Sequence, residues 1–148
     1  MLPGFSCRDL VAFLIKYNEE GAKRRLVVCF AYLSYDSKDP PPSKEVEQLA
    51  GYCENENLYL VVECDSNAHQ SVCSTNCNIR GEALVEFLNS SNLEILNWGN
   101  EPTFCSGGRL EVIDITLGSI RLLESIIGWE VSDHRHIKNI KHQLSPIR

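Results

Sequence analysis

Long hydrophobic runs, surplus positive charge and compactly spaced cysteine pairs are all scarce in this chain of 148 residues. Its longest apolar stretches are strand-sized, far below the roughly 20 residues that a membrane-spanning helix needs, so no membrane partner is expected. The start, Met1-Leu2-Pro3-Gly4, lacks the basic segment that opens a secretory leader, and an intracellular protein, nuclear or cytoplasmic, is the expectation. A formal net charge of −6 excludes a protein that grips nucleic acid mainly by its own basic surface. An acidic hydrolase can still act on nucleic acid, because a metal ion neutralises phosphate locally. The basic residues at Lys23-Arg24-Arg25 and from Arg135 to Arg148 read as a solvated turn and a tail.

Cysteine is present, but seven residues scattered from Cys7 to Cys105 make no disulfide framework, and reduced, partly buried thiols are expected. His69, Cys73 and Cys77 recur every four residues and could supply three zinc ligands, with Cys64 or Cys105 as a fourth. That spacing is not the Cys-x-x-Cys knuckle, and unpaired loop cysteines are the plainer reading. No internal repeat or low-complexity tract interrupts the chain.

With 43% hydrophobic residues, the sequence can bury the core of a single domain. Asp9 to Ile15 and Leu26 to Leu33 read as a hairpin joined by the polar turn Asn18-Glu19-Glu20-Gly21. The proline-rich Asp36 to Pro42 stops regular structure, and Ser43 then caps a helix with Val46, Leu49, Ala50 and Cys53 on one face. Leu58 to Cys64 is apolar enough for a strand buried on both faces. A polar loop follows, then a helix from about Gly81 to Asn89. Short strands are expected around Glu94-Ile95-Leu96, Thr103-Phe104, Leu110 to Leu117 and Trp129-Glu130-Val131, with a helical segment from Ser119 to Leu123. The class is mixed α/β, with strands packed between helices.

Chemistry concentrates at Asp65-Ser66-Asn67-Ala68-His69. A carboxylate and an amide two apart at a strand's end point the same way, out of the carboxyl edge where layered α/β folds bind ligands. Taken alone, Asp-x-Asn is also an ordinary turn. Asp114 sits inside the apolar Val112-Ile113-Asp114-Ile115-Thr116, where an ionised carboxylate is costly without a partner. Ser132-Asp133-His134 adds an acid and a histidine, and His136 and His142 nearby read equally well as surface residues. Acids to orient water, neutral donors for phosphate oxygens and a histidine form a set suited to phosphodiester hydrolysis.

Asp-x-Asn, Ile-Asp-x-Thr and Ser-Asp-His, in that order, resemble the endonuclease/exonuclease/phosphatase superfamily. The resemblance is specifically to the apurinic-type endonuclease domain of non-LTR retrotransposons (endonuclease-reverse transcriptase). It extends through Tyr32-Leu33, Pro40-Pro41-Pro42-Ser43-Lys44-Glu45-Val46, Arg80-Gly81-Glu82-Ala83-Leu84, Leu96-Asn97 and Glu101-Pro102-Thr103-Phe104. It covers about residues 8–137 of a single domain spanning 1–148, leaving 138–148 as a tail. The resemblance implies half or more of a four-layer α-β-β-α sandwich acting on DNA with magnesium or manganese. It implies that Asp65 activates water, Asn67 holds that water or a phosphate oxygen, and Asp114 orients His134 toward the phosphate. Asp133 would lie close to the metal and Tyr32 would contact phosphate.

The sequence departs from that family in three places. It starts after the strand bearing the family's first asparagine and after its metal-binding glutamate, so an amino-terminally truncated domain is expected. Val72-Cys73-Ser74 replaces a tryptophan-glycine pair, and Val131 abuts Ser132-Asp133-His134 without the usual intervening residues. A domain lacking part of one sheet leaves a strand edge and an apolar face uncovered, favouring self-association or a protein partner. The alternative to a nicking endonuclease is therefore a catalytically inactive, retrotransposon-derived interaction module.

Overall fold

The computed structural model describes residues 1–19, 21–34, 36–66, 79–97, 102–106, 108–131 and 140–144. Alternating apolar residues build the hairpin β1 (Leu10–Glu19) and β2 (Ala22–Tyr32), each strand longer than its sequence pattern indicates. Gly21, at φ +81°, supplies the left-handed conformation that closes the turn. Helix α1 (Lys44–Asn55) begins where Ser43 Oγ accepts the Val46 N–H, and buries Val46, Leu49 and Cys53. It leads into β3 (Tyr59–Asp65), while α2 (Ile79–Ser90) buries Leu84 and leads into β4 (Leu93–Ile95).

The apolar run at 110–117 does not form one strand. It divides into β6 (Arg109–Glu111), paired with β5 (Phe104–Ser106), and β7 (Asp114–Ser119). A 3-10 helix (Ile120–Ser125) precedes β8 (Ile126–Val131). Residues read from sequence as part of a tail contain β9 (Ile140–Leu144), which pairs antiparallel with β8. Backbone pairing with the preceding strand fixes a segment whose charge pattern alone looked solvated.

Five strands form the main sheet in the order β1-β2-β3-β7-β4. β2 and β3 run parallel, and the other neighbours are antiparallel. One face carries Ala12, Val27, Cys29, Leu60, Val62, Cys64, Ile115 and Leu117, which join Val46, Leu49 and Leu84 from the two helices in a single core. On the other face, Leu26, Val61 and Leu122 make a smaller cluster with Tyr17, Val28, Tyr59 and Ile126. The rest of that face is open: Phe13, Ile15, Phe30 and Tyr32 are 38%, 45%, 51% and 48% exposed. The expectation that β3 is buried on both faces therefore holds for its middle and fails at Glu63 and Asp65, which are half-buried. The arrangement is the helix-covered half of the expected sandwich.

Close packing at β4 and β7 makes a specific demand. A Cβ added to Gly118 would lie 2.6 Å from Leu96 Cδ1, and Leu96 is itself fully buried. Gly118→Ala is expected to lower stability by about 1–3 kcal/mol, with part of the loss recovered in the double variant with Leu96→Ala. Urea denaturation of the parent and the two variants checks this, and an unchanged midpoint for Gly118→Ala would show the contact to be slack.

Candidate active site

The register brings three of the sequence-predicted residues into one row. Tyr32 on β2 is the parallel partner of Asp65 on β3, and Asp65 is the antiparallel partner of Asp114 on β7. At about 4.8 Å between neighbouring strands, the row spans roughly 10 Å, the scale of a phosphodiester and its immediate neighbours. Asn67, Asp133 and His134 lie outside the described residues, as do His69, Cys73 and Cys77 of the zinc pattern.

Backbone hydrogen bonds zip this edge of the sheet together. Tyr32 N donates to the Asp9 carbonyl at 2.8 Å, Leu33 N to the Asp65 carbonyl at 2.9 Å, and Ser66 N to the Ile113 carbonyl at 2.8 Å. Ser66 is fully buried, and its hydroxyl donates to the same Ile113 carbonyl at 2.8 Å. Asp9 thus extends the row by one position, a residue the sequence patterns did not single out because it lies far from every motif. The four residues line a depression of ≈ 390 Å³ together with Arg8 and Glu63. Glu63 was equally invisible from sequence. It lies two residues before Asp65, on the same face, and its Oε2 accepts the Thr116 hydroxyl at 2.9 Å.

Two motif residues whose role the sequence left open hold Asp114 in place. Thr103 Oγ1 accepts from both Ile113 N, at 3.1 Å, and Asp114 N, at 3.0 Å. The Asn97 side chain imitates a neighbouring strand, donating through Nδ2 to the Asp114 carbonyl at 3.1 Å and accepting Thr116 N at 2.9 Å. Both side chains are buried, so these bonds form away from competing water.

The thiols near the site are chemically quiet. Burial pushes Cys64 well above the usual thiol range, and the nearby carboxylates of Glu63, Asp65 and Asp114 push in the same direction. Burial likewise moves Cys29 and Cys53 up to about 12. All three are thereby held as neutral thiols at neutral pH. A second cavity, ≈ 470 Å³, opens elsewhere, lined by Leu58, Leu60, Phe87, Leu93 and residues near the C-terminal ends of α1 and α2. It contains none of the paired acids of the row, so the candidate chemistry belongs to the carboxyl edge.

A mixed sheet with helices on one face and acids at the carboxyl edge defines the class: an endonuclease/exonuclease/phosphatase-type fold. Residues 26–138 match the family described as endonuclease-reverse transcriptase, and the chain belongs to that family. The structure is similar to the endonuclease domain of TRAS1, a telomere-specific non-LTR retrotransposon, with 26% identity and a TM-score of 0.65. That match covers 85% of this chain and 57% of the other. It also shares its fold with the Xenopus laevis APE2 catalytic domain, at 16% identity and a TM-score of 0.59, over 93% of this chain and 55% of that one. The chain thus spans little more than half the length of either domain. No curated protein sequence matches it. No described helix is long and apolar enough to cross a membrane.

Two outcomes test this geometry. Thr103→Val removes the acceptor for two amides and is expected to cost about 1–3 kcal/mol and to speed hydrogen exchange at Ile113 and Asp114, whereas Thr103→Ser keeps both near the parental values. Equal exchange in all three proteins would refute the clamp. The thiols set a pH dependence: unfolded thiols ionise near 9.0, the folded ones near 12, so the stabilisation is full below about pH 9 and declines as pH rises toward 12. Urea midpoints followed from pH 8 to 11 should fall less steeply in Cys53→Ala than in the parent.

Proposed function

We propose that the carboxyl-edge row hydrolyses a phosphodiester of DNA, producing a nick. The observation that carries this reading is the alignment of Tyr32, Asp65 and Asp114 side by side on three adjacent strands, in a chain similar to a retrotransposon endonuclease domain. Asp65, at the open edge, takes the proton of the attacking water, and Asn67 holds that water or a phosphate oxygen. Asp114, fixed by Thr103 and Asn97, orients His134 and fixes its tautomer, so that the imidazole donates to the phosphate. Tyr32, half-exposed beside Asp65, donates its hydroxyl to a second phosphate oxygen.

The donor set agrees with a hard divalent ion. Carboxylate oxygens line the depression, and magnesium is commonly held by one or two carboxylates with the remaining positions left to water and substrate phosphate. Asp133 is the acid assigned to the ion, since Asp65 is occupied by the attacking water and Asp114 by His134. Among the described residues no group of three acids, histidines or cysteines is gathered closely enough to form a cage. When bound, magnesium or manganese would stabilise charge on the phosphate oxygens.

The interaction-module reading rests on the open apolar face. At roughly 200 Å² per large side chain, its four exposed residues present on the order of 350 Å². A stable pairing uses about 800 Å² per partner, and a lone patch of this size is common on monomers. Self-association or a protein partner therefore needs the edge strand β1 or other surface in addition, and the nuclease reading is the stronger of the two.

Plasmid nicking with magnesium checks it. The parent should convert supercoiled to open-circular DNA, with Asp65→Asn, Asp114→Asn and His134→Ala each slower by about 10²-fold or more. Equal rates in all four proteins would assign the activity to a contaminant. An inert parent that still binds another chain would make the interaction module the function.

A further inference from the structure

The depression has a charge problem. Asp9, Glu63, Asp65 and Asp114 line it, the whole chain carries −6, and the ligand proposed for it is a polyanion. Among the described residues, Arg8 is the cation on its wall. The Lys23-Arg24-Arg25 cluster cannot take that place, because Lys23 lies nine residues before Tyr32 on β2, roughly 30 Å away along an extended strand.

Arg8 lies on the wall of the depression shared by Tyr32, Asp65 and Asp114. Cys7 N donates to the Leu10 carbonyl at 2.8 Å, and Ser6 bridges to Val11, so Arg8 and Asp9 form the tip of a tight hairpin. The bond from Tyr32 N to the Asp9 carbonyl pins that tip to the strand end bearing Tyr32. The backbone is fixed while the side chain is 95% exposed. Its ion pair, Nε to Asp9 Oδ1 at 3.6 Å, is long and joins an exposed side chain to a half-exposed one, and such a pair contributes little. A guanidinium in that state exchanges readily to a phosphate, whose oxygens it can meet two at a time.

The geometry points to Arg8 as a phosphate-binding residue that holds the DNA backbone beside the Tyr32–Asp65–Asp114 row. This rests on the nuclease reading above and adds a subsite to it. The contact is to the backbone, so it strengthens binding without selecting sequence. Because the residue is exposed and outside the core, substitution leaves the fold intact.

The test is binding of a short fluorescent DNA duplex by anisotropy, in calcium rather than magnesium, at several salt concentrations between 50 and 200 mM. Parent, Arg8→Ala, Arg8→Lys and Arg121→Ala are compared, Arg121 being a surface cation that stacks over Tyr59 at the far end of β3. Arg8→Ala should weaken binding about 3- to 10-fold on every duplex and reduce the salt slope by about 1, with Arg8→Lys restoring most of the slope and Arg121→Ala behaving as the parent. An unchanged affinity and slope in Arg8→Ala, or an equal loss in Arg121→Ala, overturns the subsite while leaving the nuclease reading standing. A parent that does not bind duplex DNA at all overturns both.

Discussion

Strands that run parallel end at the same edge of a sheet, and the parallel pairing of β2 with β3 therefore delivers Tyr32 and Asp65 together. β7, entering from the opposite direction, starts with Asp114 beside them. A one-residue slip of β3 would turn Leu60, Val62 and Cys64 out of the helix-covered core and drive Asp65 into it. Each exposed aliphatic side chain would forfeit about 1.5–3 kcal/mol, and a buried unpaired carboxylate is worse still. The core thus enforces the alignment of the acids.

The far side of the site depends on side chains doing the work of a strand. Among the described residues, β4 pairs with β7 at Leu93, Glu94 and Ile95, and Leu96 N adds a bond to the Thr116 carbonyl, so this strand pairing stops short of Asp114. Asn97 and Thr103 occupy that gap and satisfy the backbone of Ile113, Asp114 and Thr116. Buried amides without acceptors are costly, so the polar pair stabilises the fold and the position of Asp114 at once. A substitution there would change both, which is why amide exchange and stability belong in the same experiment.

Like-charged residues directly opposite one another destabilise a sheet, and Asp65 opposite Asp114 is such a pair. The half-buried setting moderates the repulsion through water, and a cation held between them would remove it. The same face leaves Phe13, Phe30 and Tyr32 partly uncovered, so the face that carries the candidate row is also the less packed one. The helices sit on the opposite face, which leaves the proposed site open to a polymer.

Much was legible in the sequence because it is local. Ser43 as a cap, the periodic face of α1, the strand before Asp65 and the order of the three acidic motifs depend on residues a few positions apart. The family followed from that order together with the spacing between motifs. What the sequence could not determine is long-range. That Asp9 falls beside Tyr32, that Glu63 meets Thr116, that Thr103 and Asn97 clamp Asp114, and that 140–144 is a strand all depend on hydrogen-bond partners 10 to 53 positions apart or on pairing with another strand. Local propensity marked β1, β2 and β3 as strands. Register and burial, which act between segments, decided which side chains meet.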